Sequence, residues 1–545
     1  MRAWIATLLP ASFLAGLTAG CSSSVPSGPT AKPPPATGQA PTSITQAPAP
    51  VTPAPTSAAP AHPAPAERTN ADADAPASEI VTTEVREMNG AAYGRPAAKW
   101  NPGSVAAIAA PGSVKTATGF QVQFASHATI TTPTVYERKI LVSGGFQGKE
   151  LFAYEAGTGK PLWGIDLHDD GPSSPACEDK VCVINTESCT IFAISADTGK
   201  PLWSYWLGDP LTSAPTIAKG RVFASYPQMA TDTPDKPVPP NANHALAAFE
   251  LATGKVLWQL WLDSDVMSAP VAAGDFVYVT TFNGTMIKIE QATGKVRYAM
   301  KARATSAPVV LFGADGVEQM YYTRRDAAEA AGAEPTEMVI RADHNEPQTK
   351  WHSAKKPARY IDKKAQSQSS YNASSKVQDA HNGFGDGAPA AAAATYAFDN
   401  VGVNSVASMQ GFQGSRVVHL ADKNVNTMGD EVIATDNETG AVVWKYKLAG
   451  DTAQGGFLGT APLAAGNHVL LGTLKGEVLR LDPRSGKSTA TYAVGSPIRS
   501  QPVVADGWIY VGTEDGKLVA INTKDPAITG WPTWGGNPQR TGIPR

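Results

Sequence analysis

A short phrase recurs along this chain: threonine, glycine and lysine, two further residues, then tryptophan. It stands at Thr158-Gly159-Lys160 to Trp163, Thr198-Gly199-Lys200 to Trp203 and Thr253-Gly254-Lys255 to Trp258. At Thr293-Gly294-Lys295 the aromatic place is taken by Tyr298, and looser copies follow at Thr439-Gly440 to Trp444, Ser485-Gly486-Lys487 and Thr529-Gly530-Trp531. A period of roughly 40–45 residues is the length of one propeller blade, a unit that cannot bury its faces without neighbours. The repeat therefore constrains the fold before any single residue is weighed.

One unit shows how the pattern folds. Ser268-Ala269-Pro270 opens a short apolar strand, Val271-Ala272-Ala273, and Gly274-Asp275 turns the chain. Phe276 to Thr280 alternates as a second strand, Asn283-Gly284 is a hairpin signal, and Thr285 to Glu290 reads as a third strand. Thr293-Gly294-Lys295 then turns into a fourth near Tyr298. The opening Ser/Thr-x-Pro recurs at Ser213, Ser306, Thr460 and Ser500, and proline suits a strand's first residue, where no ladder bond is needed. The expected architecture is all-β, an eight-bladed propeller of four-stranded antiparallel blades. It is seven-bladed if the degenerate copy ending at Trp351 is left out; Val309-Val310 and Met320-Tyr321-Tyr322 favour eight. Thr118 to Phe124 is the candidate strand to join the last blade, near Trp531 and Trp534, and close the ring.

With Ala-Ile or Ala-Phe just before it, the phrase resembles the tryptophan-docking repeat of the pyrroloquinoline-quinone (PQQ) propeller superfamily. Quinoprotein alcohol dehydrogenases and BamB-type propeller lipoproteins of the outer-membrane β-barrel assembly machinery belong to it. The resemblance covers residues 118–545. It implies that Trp163, Trp203, Trp258, Tyr298, Trp351, Trp444 and Trp531 dock on the neighbouring blade. Each such ring buries roughly 150–250 Å².

The dehydrogenase branch would imply PQQ with Ca²⁺ over the channel, an adjacent cysteine pair, an Asp base and Glu, Asn and Asp ligands. This chain has no adjacent cysteines, its carboxylates are scattered in turns, and no hydrolase, zinc or phosphate-loop motif is present. No catalytic residue, metal site or cofactor is expected. The alternatives are a divergent PQQ-binding oxidoreductase and a carbohydrate-binding propeller, which needs aromatic rings exposed on one face.

The N-terminus reads as an export segment. After Arg2, residues 3–17 are apolar, and Leu17-Thr18-Ala19-Gly20-Cys21 resembles a bacterial lipobox. That resemblance implies a signal peptide over 1–20, cleavage before Cys21 and acylation of Cys21. Ser22 and Ser23 lack the Asp that resembles an inner-membrane retention signal, so the outer membrane is expected. Residues 21–85 are Pro-, Ala- and Thr-rich and read as a tether reaching on the order of 100–200 Å; residues 86–117 lead into the propeller. A net charge of −3 without a basic block argues against nucleic acid.

Three further cysteines lie close together. If Asp179-Lys180 is a two-residue hairpin loop, Cys177 and Cys182 face each other across the strands and can be bridged, leaving Cys189 free. The long insertions fall in two kinds of connection, between second and third strands and between blades, which share one face of a propeller. They are 227–243 (with Asp235 and Lys236), 324–337 (with Arg324 and Arg325) and 354–403 (with Phe384). That face is the expected binding surface, taking an envelope protein or polymer. The reading is a non-enzymatic, monomeric, lipid-anchored scaffold, periplasmic or surface-exposed, with a role in outer-membrane protein assembly resting on the resemblance.

Overall fold

The structure, a computed structural model, describes residues 91–92, 95–96 and 105–543. Within that span it leaves out 146–147, 170, 187–189, 208–212, 228–243, 265, 313–316, 327–335, 344–347, 353–355, 358–415 and 452–457. Eight antiparallel sheets follow one another along the chain, an eight-bladed propeller. We letter the strands of each blade A to D from the channel outward. The eight A strands are Thr134–Tyr136, Ala176–Glu178, Thr216–Ala218, Val271–Ala273, Val309–Phe312, Val418–His419, Leu463–Ala465 and Val503–Ala505. Seven of them start directly after a proline, which gives up no ladder bond there; Val417 takes that place in blade 6.

The copy ending at Trp351 is a full blade. Val309–Phe312, Glu318–Asp326, Thr336–Asp343 and Gln348–His352 pair in order, and Lys356–Pro357 adds to Thr336–Glu337. Blade 8 takes its fourth strand from the other end of the chain, because Gly119–Gln123 pairs with Lys517–Asn522. Val114–Lys115 extends that blade, and Ala106–Ile108 adds a fifth strand outside blade 1.

The repeated phrase is the C–D turn of blades 1–4, 6 and 7, and its glycine does two things. At Gly254 φ is +73°, a left-handed conformation that L side chains avoid, and a Cβ there would lie 2.7 Å from the Trp203 indole. Trp203 of blade 2 thus lies flat on the turn of blade 3 and donates Nε1–H to the Leu251 carbonyl at 2.7 Å. Trp163, Trp258 and Trp444 repeat the geometry on Ala196, Gln291 and Pro483. At the seam Phe120, on the strand borrowed from the N-terminal side, takes the indole's place over Gly159.

The core lies between blades. Phe120, Val122 and Phe124 of blade 8 pack with Ile140, Val142, Phe152 and Tyr154 of blade 1, so the last interface is as apolar as the others. Burying such layers, at about 25 cal/mol per Å², is what holds eight small sheets in one ring.

Candidate functional site

Two regions qualify as sites, the channel and the insertion-bearing face. The channel is filled by the chain itself. After the last strand, residues 531–542 run along the A strands and bond to several of them. Pro532 accepts from the amide of Val135, Pro538 from that of Ile217, and Gln539 from that of Ala272. Trp531 bridges to Val504 and donates Nε1–H to Gln501 Oε1 at 3.1 Å. Trp531, which the sequence groups with the blade-docking rings, is carried by this segment rather than by a fourth strand, and it is buried in the apolar cluster shared by blades 7 and 8.

Trp534 is fully buried against Ala214 and Ala269. These two alanines are the middle residues of the Ser-Ala-Pro openings, and their small side chains leave room for the indole. Arg540, also fully buried, donates to the carbonyls of Ser174 (3.1 Å), Pro215 (3.2 Å) and Trp534 (2.9 Å) and to Thr533 Oγ1 (3.0 Å). Sequence reasoning missed this segment. Its only signal was a pair of tryptophans, Trp531 and Trp534, beyond the last strand available to carry them.

The filled channel bears on a cofactor. Where a flat quinone would need space along the axis, Trp534 and Arg540 stand. Among the described residues no group of three or more His, Cys, Asp or Glu side chains is placed to hold a metal ion. Among the described residues, those that line the channel do not fit PQQ with Ca²⁺.

On the other face lie the B–C and D–A connections, as the antiparallel order of every blade requires. Residues 228–243 and 327–335 fall in the B–C connections of blades 3 and 5, and 358–415 in the connection from blade 5 to blade 6. Arg324 and Arg325 are not loop residues. Glu318–Asp326 pairs residue by residue with Thr336–Asp343, setting Arg324 opposite Met338 and Arg325 opposite Glu337. A continuous ladder satisfies their backbone groups better than a long loop would. Beneath this hairpin Thr305 Oγ1 donates to Glu337 at 2.8 Å and stands 2.9 Å from Thr323 Oγ1. Asp235, Lys236, Phe384, Cys21 and Cys189 lie outside the described residues, and Trp351 pairs through its backbone with Arg341.

Other polar groups are buried near these connections. Asp263 accepts from Thr285 Oγ1 at 2.6 Å, yet burial raises its carboxyl above the ordinary range. His244 begins strand C of blade 3, directly after residues 228–243, and burial lowers its pKa to about 3. In the unfolded chain it takes up a proton near pH 6.5, so between these values the unfolded state binds more protons. The contribution of His244 to stability is therefore full above pH 6.5 and is lost as pH falls toward 3. In a comparison of unfolding midpoints across that window, His244→Gln should fall less steeply with acidification than the parent. Equal slopes would remove the assignment.

Between blades 4 and 5 a buried ion pair, Lys288 with Glu318, is enclosed by rings. Lys288 Nζ lies 4.2 Å from the centroid of Phe276, and Tyr278 donates to Glu318 at 2.7 Å. Tyr298 packs at the same interface, its hydroxyl 3.1 Å from Met320 Sδ. Burial first, and then the nearby Glu318 carboxylate, raise the Tyr278 and Tyr298 hydroxyls well above the ordinary phenol range and hold them protonated. Lys288 and Glu318 are buried while Phe276 and Tyr298 at the edge are partly exposed, and the cluster reads as interface packing. In blade 2, Cys177 and Cys182 are direct partners across strands A and B, with Cα atoms 4.1 Å apart, and form a disulfide. Asp179 and Lys180 form the intervening turn, both at positive φ (50° and 64°).

Comparison with known proteins places this arrangement. A curated outer membrane protein assembly factor BamB from Yersinia pestis is 32% identical over 102 residues. That match covers 18% of this chain and about a quarter (26%) of the relative's length. The crystal structure of BamB from Moraxella catarrhalis is 14% identical with a TM-score of 0.46, covering 75% of this chain and 97% of that one. The quinohemoprotein alcohol dehydrogenase ADHIIG from Pseudomonas putida is 11% identical with a TM-score of 0.47, covering 77% and 76%. The family described as outer membrane protein assembly factor BamB matches residues 115–232, 238–336 and 427–534, together more than half of the chain. On that match, the chain belongs to the BamB family of PQQ-type propellers.

Proposed function

We propose that this protein is a lipid-anchored scaffold of the bacterial outer membrane that holds a component of outer-membrane protein assembly on its insertion-bearing face. The observation that carries the reading is positional. Residues 228–243, 327–335 and 358–415 all belong to connections of one face, whereas the C–D turns of blades 1–4, 6 and 7 opposite keep the short repeated phrase. Drift in tolerant loops would not favour one face. Family membership supplies the process, and the filled channel directs attention away from a buried small-molecule site. Strand addition is a fitting mode for the partner, because blade 1 already accepts an extra antiparallel strand, Ala106–Ile108, at its outer edge. Acylation of Cys21 and a tether over 21–85 would supply the anchor.

The test is a crosslinking pulldown from envelope membranes, comparing the intact chain with one in which residues 358–396 are replaced by a short Gly-Ser linker. The intact chain should recover β-barrel assembly components and the shortened chain should lose them. Equal recovery would overturn the face assignment. Metabolic labelling with palmitate checks the anchor: label on the parent and none on Cys21→Ser.

A further inference from the structure

One position in strand C governs how each blade meets the next: the residue paired across the ladder with the docking aromatic. In blades 1, 2, 3, 6 and 8 it is alanine, as with Ala193 opposite Trp203 and Ala520 opposite Phe120. So small a cross-strand neighbour leaves the ring free to lie on the following blade. In blades 4, 5 and 7 the position holds Lys288, Arg341 and Arg480, opposite Tyr298, Trp351 and Ala490. Each of the three reaches a carboxylate of the next blade. Lys288 pairs with Glu318, Arg341 Nη1 lies 3.1 Å from Glu438, and Arg480 Nη1 lies 3.2 Å from Asp525.

The exchange of ring for cation follows the turns. Residues 344–347, between strands C and D of blade 5, include no glycine, and blade 8 borrows its fourth strand from the other end of the chain. Neither repeats the glycine turn on which an indole lies elsewhere. At the interface of blades 5 and 6, Arg341 Nη1 donates to the Asn437 carbonyl at 3.2 Å. That carbonyl stands two residues before the threonine of its turn, the place that receives the indole N–H of Trp163, Trp203 and Trp258. A guanidinium has taken the indole's bond.

Among the described residues, blade 5 is the one clasped by ion pairs on both sides. Its apolar contacts are also softer. The cluster it shares with blade 4 contains Met286, Met300, Met320 and Met338, four of the chain's ten methionines, and thioether side chains tolerate displacement. Toward blade 6 the cluster is Val309, Tyr321, Val339, Val417, Met428 and Ile433. The third clasp, between blades 7 and 8, is backed by a cluster that runs through blades 6, 7 and 8 and includes Trp444 and Trp531. A docked ring gains with the area it covers. Desolvation offsets much of the attraction in a buried pair such as Lys288–Glu318, and solvent screens Arg341–Glu438, whose carboxylate is 79% exposed.

We propose that blade 5 is the sector at which the propeller opens: it parts from blades 4 and 6 as a unit, more readily at high ionic strength, while the other blades stay packed. The test is amide hydrogen exchange on the whole chain, read by mass spectrometry, at about 0.01 M and about 1 M sodium chloride, where the screening length falls from about 30 Å to about 3 Å. Strands Glu318–Asp326 and Thr336–Asp343 of blade 5 are compared with Arg221–Pro227 and His244–Glu250 of blade 3. Blade 3 is the fair reference, since it too has a long B–C connection but is locked by Trp203 on one side and Trp258 on the other. Blade 5 should exchange at least about tenfold faster, because amides report the opening of their own unit. Its ratio to blade 3 should rise at least about threefold at the higher salt. Glu438→Gln alters an exposed side chain and leaves the core intact. It should raise the low-salt ratio at least about twofold and flatten the rise with salt. Equal exchange in blades 3 and 5, or a ratio that ignores salt, would overturn the proposal.

Discussion

Replacing Gly254 with alanine should lower the stability of the propeller by about 2–5 kcal/mol, the sum of a left-handed backbone penalty and a forced contact. The backbone part arises because φ is +73°, where an L side chain costs about 1–2 kcal/mol. The contact part arises because the new methyl would sit 2.7 Å from Cδ2 of Trp203. That indole cannot withdraw without breaking its 2.7 Å bond to the Leu251 carbonyl. Gly220→Ala separates the two contributions. Its φ is +69°, but nothing lies within 4 Å of the added methyl, so only the backbone cost of about 1–2 kcal/mol should appear. Denaturant unfolding of both variants measures the difference. Equal losses would mean that the indole does not bear on the turn, and the account of the repeated phrase as an inter-blade lock would fail.

That lock explains why so much of the fold was legible. Glycine at a left-handed turn, threonine bonding back to the turn and tryptophan five residues after the threonine are local requirements, met together in blades 1, 2, 3 and 6. Local chemistry also exposed the two-residue loop at Asp179-Lys180, and with it the register that brings Cys177 opposite Cys182. What stayed hidden depends on distant partners. Arg540 meets Ser174 and Pro215 across more than three hundred residues, and no periodicity in the sequence announces such a pairing. That the channel segment rather than a fourth strand carries Trp531 is hidden for the same reason, since a tryptophan after Thr-Gly looks identical whether or not a strand carries it. Arg324 and Arg325 read as loop because consecutive charges next to an Ala/Glu run suggest solvent, yet the hairpin ladder extends through them to Asp326. On the insertion-bearing face, position in the topology was the legible feature, and the chemistry of recognition was not.

Trp534→Ala should destabilise the ring by about 3–5 kcal/mol, the range for emptying a buried large aromatic position. The effect should exceed that of removing a blade-docking tryptophan such as Trp163, which is only half-buried and bridges a single pair of neighbours. Trp534 is enclosed by the openings of blades 3 and 4, and its ring faces both Arg416 and Arg540. Its loss leaves a void on the axis and takes the aromatic surface away from two buried cations, each change costly on its own. Trp534→Phe keeps a ring for the cations but fills less volume, so it should fall between the parent and the alanine variant. The order parent, phenylalanine, alanine in unfolding midpoint is the expected result, and a Trp163→Ala variant serves as the reference for one blade contact. If Trp534→Ala costs less than Trp163→Ala, the channel segment is an appendage. If it costs more, the ring is closed twice: once at its rim, where Gly119–Gln123 completes blade 8, and once along its axis, where the C-terminal segment binds the inner strands together.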